Sequence, residues 1–214
     1  VSTDGNFHTE GEVANISKAY LYLVPKEQYS SNTSFKKGFP IYLESGKITV
    51  VSNEPTLDNS ILDGTPSNKD LYTYNETRKT FIIKMNQLEK DYSKAKQEKD
   101  IVKMQMIESE YDDLELKLKQ AENDFFNSHP NSFVSFDWLN SSFNIATQKS
   151  KVMALFNQMG ENIKQSEAGK QFKNKLDNTQ SVEINEIAPN FSALNPEGKE
   201  ISLNSFRGKY VLLD

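Results

Sequence analysis

The chain has 214 residues, and its 25 basic and 30 acidic side chains leave a formal net charge of −5. That balance argues against a general nucleic-acid binder, which needs a basic face to neutralise phosphates. Cysteine is absent and only His8 and His129 supply imidazole, which removes disulfides, thiolate metal sites and cysteine nucleophiles and leaves little for a histidine triad or a multi-histidine metal site.

Residues 1–66 read as β-structure. TDGNFHTEGEV carries a turn at Asp4-Gly5 and then alternation at Phe7 and Thr9. AYLYLV (19–24) is a short apolar run closed by Pro25, and the polar stretch 25–38 reads as a loop. FPIYLESGKITVV (39–51) reads as two strands joined by a turn at Ser45-Gly46. Short strands with frequent turn signals predict a small antiparallel sheet or sandwich.

The pattern changes at GTPSNKD (64–70), where Thr65-Pro66 or Ser67 can open a helix with Asp70 favourable in its first turn. From there to Asn127 no glycine or proline interrupts the chain. Tyr74, Phe81, Leu88 and Ala95 lie seven apart, with Met85 and Tyr92 between them. Met104, Ile107, Tyr111, Leu114, Leu118, Ala121 and Phe125 then step by three and four. This is a heptad seam. Between the two runs lies the polar KAKQEKD (94–100), where Asp100 can cap a second helix. Two long helices packed antiparallel as a hairpin are the economical reading. The alternative, one continuous helix of roughly 60 residues, is disfavoured by the usual lengths of helices. The seam tyrosines and phenylalanines read as core, and the carboxylates of ESEYDDLELKLKQAEND (108–124) as a solvated face.

Pro130 ends the helical pair, and His129 before it reads as a helix-end residue. SFVSFDWLNSSF (132–143), with the single tryptophan Trp138 as a core residue, and TQKSKVMALFNQMG (147–160), closed by Gly160, read as two shorter helices. SEAGKQFKNKL (166–176) reads as another, and 177–186 as a polar linker.

In IAPNFSALNPEGKEISLNSFRGKYVLLD (187–214), Pro189 and Phe191 start a strand, and Asn195-Pro196-Glu197-Gly198 forms a turn. Ile201 and Leu203 alternate in a return strand, and a short helical turn over Asn204–Phe206 leads through Gly208 to an apolar strand, Tyr210–Leu213. Ala188, Pro189, Phe191, Glu197-Gly198-Lys199, Ser202-Leu203, Phe206-Arg207-Gly208-Lys209 and the strand after them stand in order. The segment resembles the opening of the redoxin branch of the thioredoxin-like proteins, which includes peroxiredoxins and thiol–disulfide oxidoreductases. The resemblance spans about 28 residues. IYLESGKITV (41–50), the GTPSN step (64–68) and SEAGK (166–170) further resemble the accessory domain that precedes redoxin domains in many Gram-negative bacterial thiol–disulfide proteins, a domain without an established activity.

The expected fold is therefore α+β, in three parts. These are a β-rich accessory domain (1–66), a helical region with the long hairpin (67–181) and the truncated start of a thioredoxin-like redoxin domain (182–214). Val1 is not an initiating residue, and both ends are expected to be trimmed. The resemblance implies a parent thiol–disulfide oxidoreductase or peroxiredoxin-like enzyme of the periplasm or cell envelope. Its cysteine pair or peroxidatic cysteine would lie beyond the strand that ends at Asp214. No catalytic, cofactor-binding or metal-binding residue carries over, no cofactor is expected, and this cysteine-free chain is expected to be inactive by itself. A homodimer and a protein partner in the cell envelope are the expected associations, with no nucleic acid and no transmembrane segment, since no apolar run nears the roughly 20 residues of a span. The rival reading is a non-catalytic structural or partner-binding module that uses the helical hairpin.

Overall fold

The computed structural model describes residues 5–24 and 38–213. The loop expected over 25–38 lies outside these except for Gly38, and so do Asp4 and Asp214. The fold is mixed α+β.

Four short strands make two separate antiparallel pairs. β1 (Ser17–Leu21) pairs with β2 (Phe39–Leu43), Ser17 opposite Leu43 and Leu21 opposite Phe39. β3 (Thr49–Val51) pairs with β4 (Ile61–Asp63), Val51 opposite Ile61. Side chains alternate across a strand, yet the neighbours Ile41 and Tyr42 are both buried, so β2 is covered on both faces. The two strands expected in 39–51 are present, but they do not form a hairpin with each other, because β3 takes β4 instead. The chain passes Gly64 too closely for any side chain there: a Cβ would sit 2.0 Å from the Lys47 carbonyl oxygen, and Gly64 has φ +108°. The alternation at Phe7 and Thr9 makes no strand. Phe7 is exposed and, among the described residues, no strand offers it a ladder.

α1 (Pro66–Glu98) starts with Pro66 at its first position, where a missing N–H costs nothing. Lys99 turns the chain in the left-handed region at φ 57°, and the Asp100 side chain accepts a hydrogen bond from the Lys103 N–H at 3.0 Å, capping α2 (Ile101–Ser128) as the sequence predicts. The helices run antiparallel. Cross-helix partners step outward from the turn, from Tyr92 with Glu108, through Lys84 with Glu110, to Arg78 and Tyr74 with Glu122. Met85, Leu88, Ala95, Ile107, Leu114 and Leu118 are buried along the seam, with Phe81, Tyr92, Met104 and Tyr111 partly buried against them.

Among the described residues this seam is one of two buried apolar clusters. The larger gathers Ile41, Tyr42 and Leu62 from the strands, Leu71 at the start of α1, and Phe125 and Phe126 at the end of α2, together with the short helices. These are α3 (Phe133–Ser142), α4 (Ile145–Gln158), α5 (Glu161–Lys164) and α6 (Glu167–Asn178). The root of the hairpin therefore belongs to the body, while its outer part is an arm with a core of its own. α4 is kinked at Gln148, so the helix expected from 147 has an added first turn. Gly160 does more than close α4: it begins α5, which the sequence reading did not anticipate. Gly169 sits inside α6 because a Cβ there would lie 2.0 Å from the Ile163 carbonyl oxygen, so α5 and α6 meet backbone to side-chain-free backbone.

β5 (Ser192–Leu194) and β6 (Glu200–Ser202) form the expected hairpin over the Asn195–Gly198 turn, with Gly198 at φ +77°, and a 3₁₀ turn follows over Leu203–Phe206. The expected strand at Tyr210–Leu213 is irregular along its described residues, because a strand exists only where a neighbouring strand supplies hydrogen bonds. Among the described residues, none after Leu176 is buried.

Candidate functional site

The joint between strands and helices is a polar lock. Asn68, fully buried in the first turn of α1, acts as a surrogate strand on the free edge of β2. Its Oδ1 accepts from the Tyr42 N–H at 2.8 Å and its Nδ2 donates to the Tyr42 carbonyl at 2.7 Å. The same Nδ2 donates to Thr65 Oγ1 at 2.7 Å, and Thr65 makes no side-chain cap of its own. Glu44 caps the helix from outside, accepting from the Ser67 N–H at 2.8 Å and the Ser67 hydroxyl at 2.9 Å. A carboxylate suits that position because a helix N-terminus carries free N–H groups and partial positive charge.

On the opposite side of the joint the Tyr42 hydroxyl donates to Asp137 at 2.6 Å, and Lys18 pairs with the same carboxylate at 3.1 Å. Burial, then the charge of Asp137 and the hydrogen bond to it, push the Tyr42 hydroxyl far above its ordinary range and keep it protonated. At the root of the arm, Glu122 is nearly buried and meets three groups. Arg78 Nε lies 2.8 Å away, as an ion pair that lacks the alignment of a hydrogen bond. The Tyr74 hydroxyl donates at 3.1 Å and Trp138 Nε1 at 3.4 Å. Burial raises the Tyr74 hydroxyl, Arg78 opposes that rise and Glu122 adds to it. These contacts fasten the strands and the root of the arm to the body.

His129 caps the C-terminus of α2, as its place before Pro130 predicts, with its ring stacked on Phe125 at 4.1 Å. His8 is exposed beside Glu10. Among the described residues no group of three or more histidines, cysteines or carboxylates could hold a metal ion. No helix of the described residues is long and apolar enough to cross a membrane.

Among the described residues, two surfaces stand out. One is a groove along the outer arm, floored by Leu88 and Ile107 and walled by Tyr92 and Tyr111. These tyrosines, expected as core, are half-buried because a pair of helices covers only the facing stripe of each. The other is the tail, where Ile187, Leu194, Tyr210, Leu212 and Leu213 are exposed. The linker before it is fastened to α4, the Val182 N–H donating to the Ala146 carbonyl at 2.8 Å and the Ser150 hydroxyl to Glu183 at 2.7 Å.

The sequence reading did not find the Asn68, Glu44 and Asp137 contacts. Only a weak signal existed: an Asn-bearing first turn after Thr-Pro, where a helix gains nothing from an amide of its own.

Residues 1–71 match the family model of a domain of unknown function, DUF4369, over about a third of the chain. The matched stretch takes in β1 to β4 and the start of α1, including Asn68 and Leu71. No curated protein and no solved structure matches the chain.

Proposed function

We propose that residues 187–213 are the opening of a redoxin domain in a cell-envelope thiol–disulfide oxidoreductase, and that the preceding residues are its accessory region. One observation carries the reading. The ordered redoxin-like motif folds locally as strand, turn, strand and 3₁₀ turn, and it leaves its apolar side chains, Tyr210 to Leu213 above all, without a covering layer. A thioredoxin-like sheet would take Tyr210–Leu213 as an interior strand and cover both of its faces. Its redox thiol would stand on the loop and helix just after that strand, where a helix N-terminus favours the thiolate. The cysteine-free chain itself would contribute position and partner choice and no electrons.

The test is the natural gene product carried past Asp214 and assayed for reduction of insulin disulfides by a thiol donor. The expected result is turnover that alkylation of a cysteine abolishes. A continuation without a cysteine in the first two turns after the strand would end the proposal.

A further inference from the structure

We infer that the outer arm is a docking site for a basic, apolar segment of a protein partner, held in the groove between α1 and α2 by a lysine or arginine side chain. The inference is independent of the redoxin reading.

A hairpin of two helices buries one stripe of each helix and leaves both flanks of the seam open. On one flank the structure has a groove of about 340 Å³, enough for one or two large side chains. Its floor is aliphatic, Leu88 and Ile107, and its walls are the rings of Tyr92 and Tyr111. Its rim is Glu89, Glu108 and Asp112, and no lysine or arginine lines it.

The ion pairs of the arm lie away from the groove. Lys84 pairs with Glu110, Lys117 with Asp113 and Lys119 with Glu115. Among the described residues, none of the three rim carboxylates joins an ion pair, and Glu108 receives only the Tyr92 hydroxyl, at 2.9 Å. The groove is thus apolar below, aromatic at the sides and uncompensated negative above.

That order matches a long cationic side chain. The methylene stem of a lysine or arginine covers Leu88 and Ile107, its head passes a tyrosine face, and the carboxylates meet the charge at the rim. Nucleic acid and anionic lipid surfaces carry the charge of the rim and are repelled, so a protein segment is the class of partner that fits. The other exposed apolar residues of the arm are Ile82, Ile83, Ile101, Val102, Met106 and Leu116; Val102 and Met106, four apart, share one side of α2, but none of the six lines the groove.

The experiment titrates the full chain into a fluorescein-labelled peptide alternating lysine, arginine and leucine, read by fluorescence anisotropy, with a glutamate–leucine peptide as comparison. Two doubly reversed variants carry equal charge changes: Glu89→Lys with Asp112→Lys on the rim, and Glu98→Lys with Asp113→Lys on exposed positions of the arm outside the groove. All four positions are exposed, and circular dichroism checks that both variants keep the wild-type helix content. The expected result is saturable binding of the basic peptide alone, weakened about tenfold or more by the rim reversal and by less than about twofold by the control reversal. Equal weakening by both variants would make the attraction a matter of net charge and overturn the site. No binding by the wild type would overturn it too. Self-association of the wild type that the rim reversal abolishes would assign the groove to a second copy of the chain and end the proposal.

Discussion

Asn68 shows how one side chain can take the place of a strand. It satisfies both backbone groups of Tyr42 on an edge that no described strand covers, and it is fully buried. Replacing it by leucine keeps the bulk but strands an N–H and a carbonyl in the interior. Each such group costs about 1–3 kcal/mol, so Asn68→Leu is expected to lower the unfolding free energy by about 3 kcal/mol in urea titration. Tyr42 itself gives a pH signature. Its hydroxyl has a raised pKa in the folded chain, so the neutral form is the one that folding favours. The resulting stability is complete below the ordinary tyrosine pKa of about 10 and is lost as pH rises above it, when the unfolded chain releases the proton and the folded chain does not. Wild type should therefore lose stability above pH ~10 more steeply than Tyr42→Phe, as denaturant melts across that range would record. None of this was legible in the sequence. The contacts join residues 26 and 95 positions apart, and hydropathy treats Asn68 and Asp137 as surface residues.

At the scale of elements, the hairpin was the most legible feature and the strand pairing the least. A heptad repeat is written locally, because each buried position announces the next, and of the residues from Phe81 to Phe125 read as seam all but Ala121 join the two apolar clusters. Strand pairing is not local. The run 39–51 contains two strands, but the partner of β3 is the short ILD at 61–63, which carries no alternation long enough to notice. The seam gives a prediction that separates arm from body. Leu114→Asp buries a carboxylate with no partner in the small cluster of the arm and is expected to melt it. The body keeps its own larger cluster, so far-UV helix signal should fall while the near-UV signal of Trp138, packed against Phe126 and Phe143 there, persists. Glu115→Lys, on the half-exposed flank where Glu115 pairs with Lys119, should cost no more than about 0.5 kcal/mol. Equal small effects from both changes would mean that Leu114 does not support the arm.

For the whole molecule the question is what the tail contributes. Turns at Asn195–Gly198 and a helical turn before Gly208 were legible, because such geometry is set within a few residues. The strand at Tyr210–Leu213 was not realised, because its ladder must come from elsewhere. Since no described residue after Leu176 is buried, the tail adds little to the stability of the body. Removing residues 187–214 leaves the fastenings of the linker at Val182 and Glu183 in place. The shortened chain is therefore expected to melt within about 2 °C of the full one, since the two differ by less than about 1 kcal/mol of burial. Association should respond differently. Tyr210, Val211, Leu212 and Leu213 form a continuous exposed apolar run next to a two-stranded hairpin whose outer edges are free among the described residues, and such edges pair with copies of themselves. Light scattering over a concentration series should show the full chain gaining mass toward a dimer or beyond, while the shortened chain stays monomeric. If the full chain remains a monomer, or if its association survives the deletion, the tail is not the adhesive segment. A large fall in melting temperature on deletion would mean instead that the tail packs on the body.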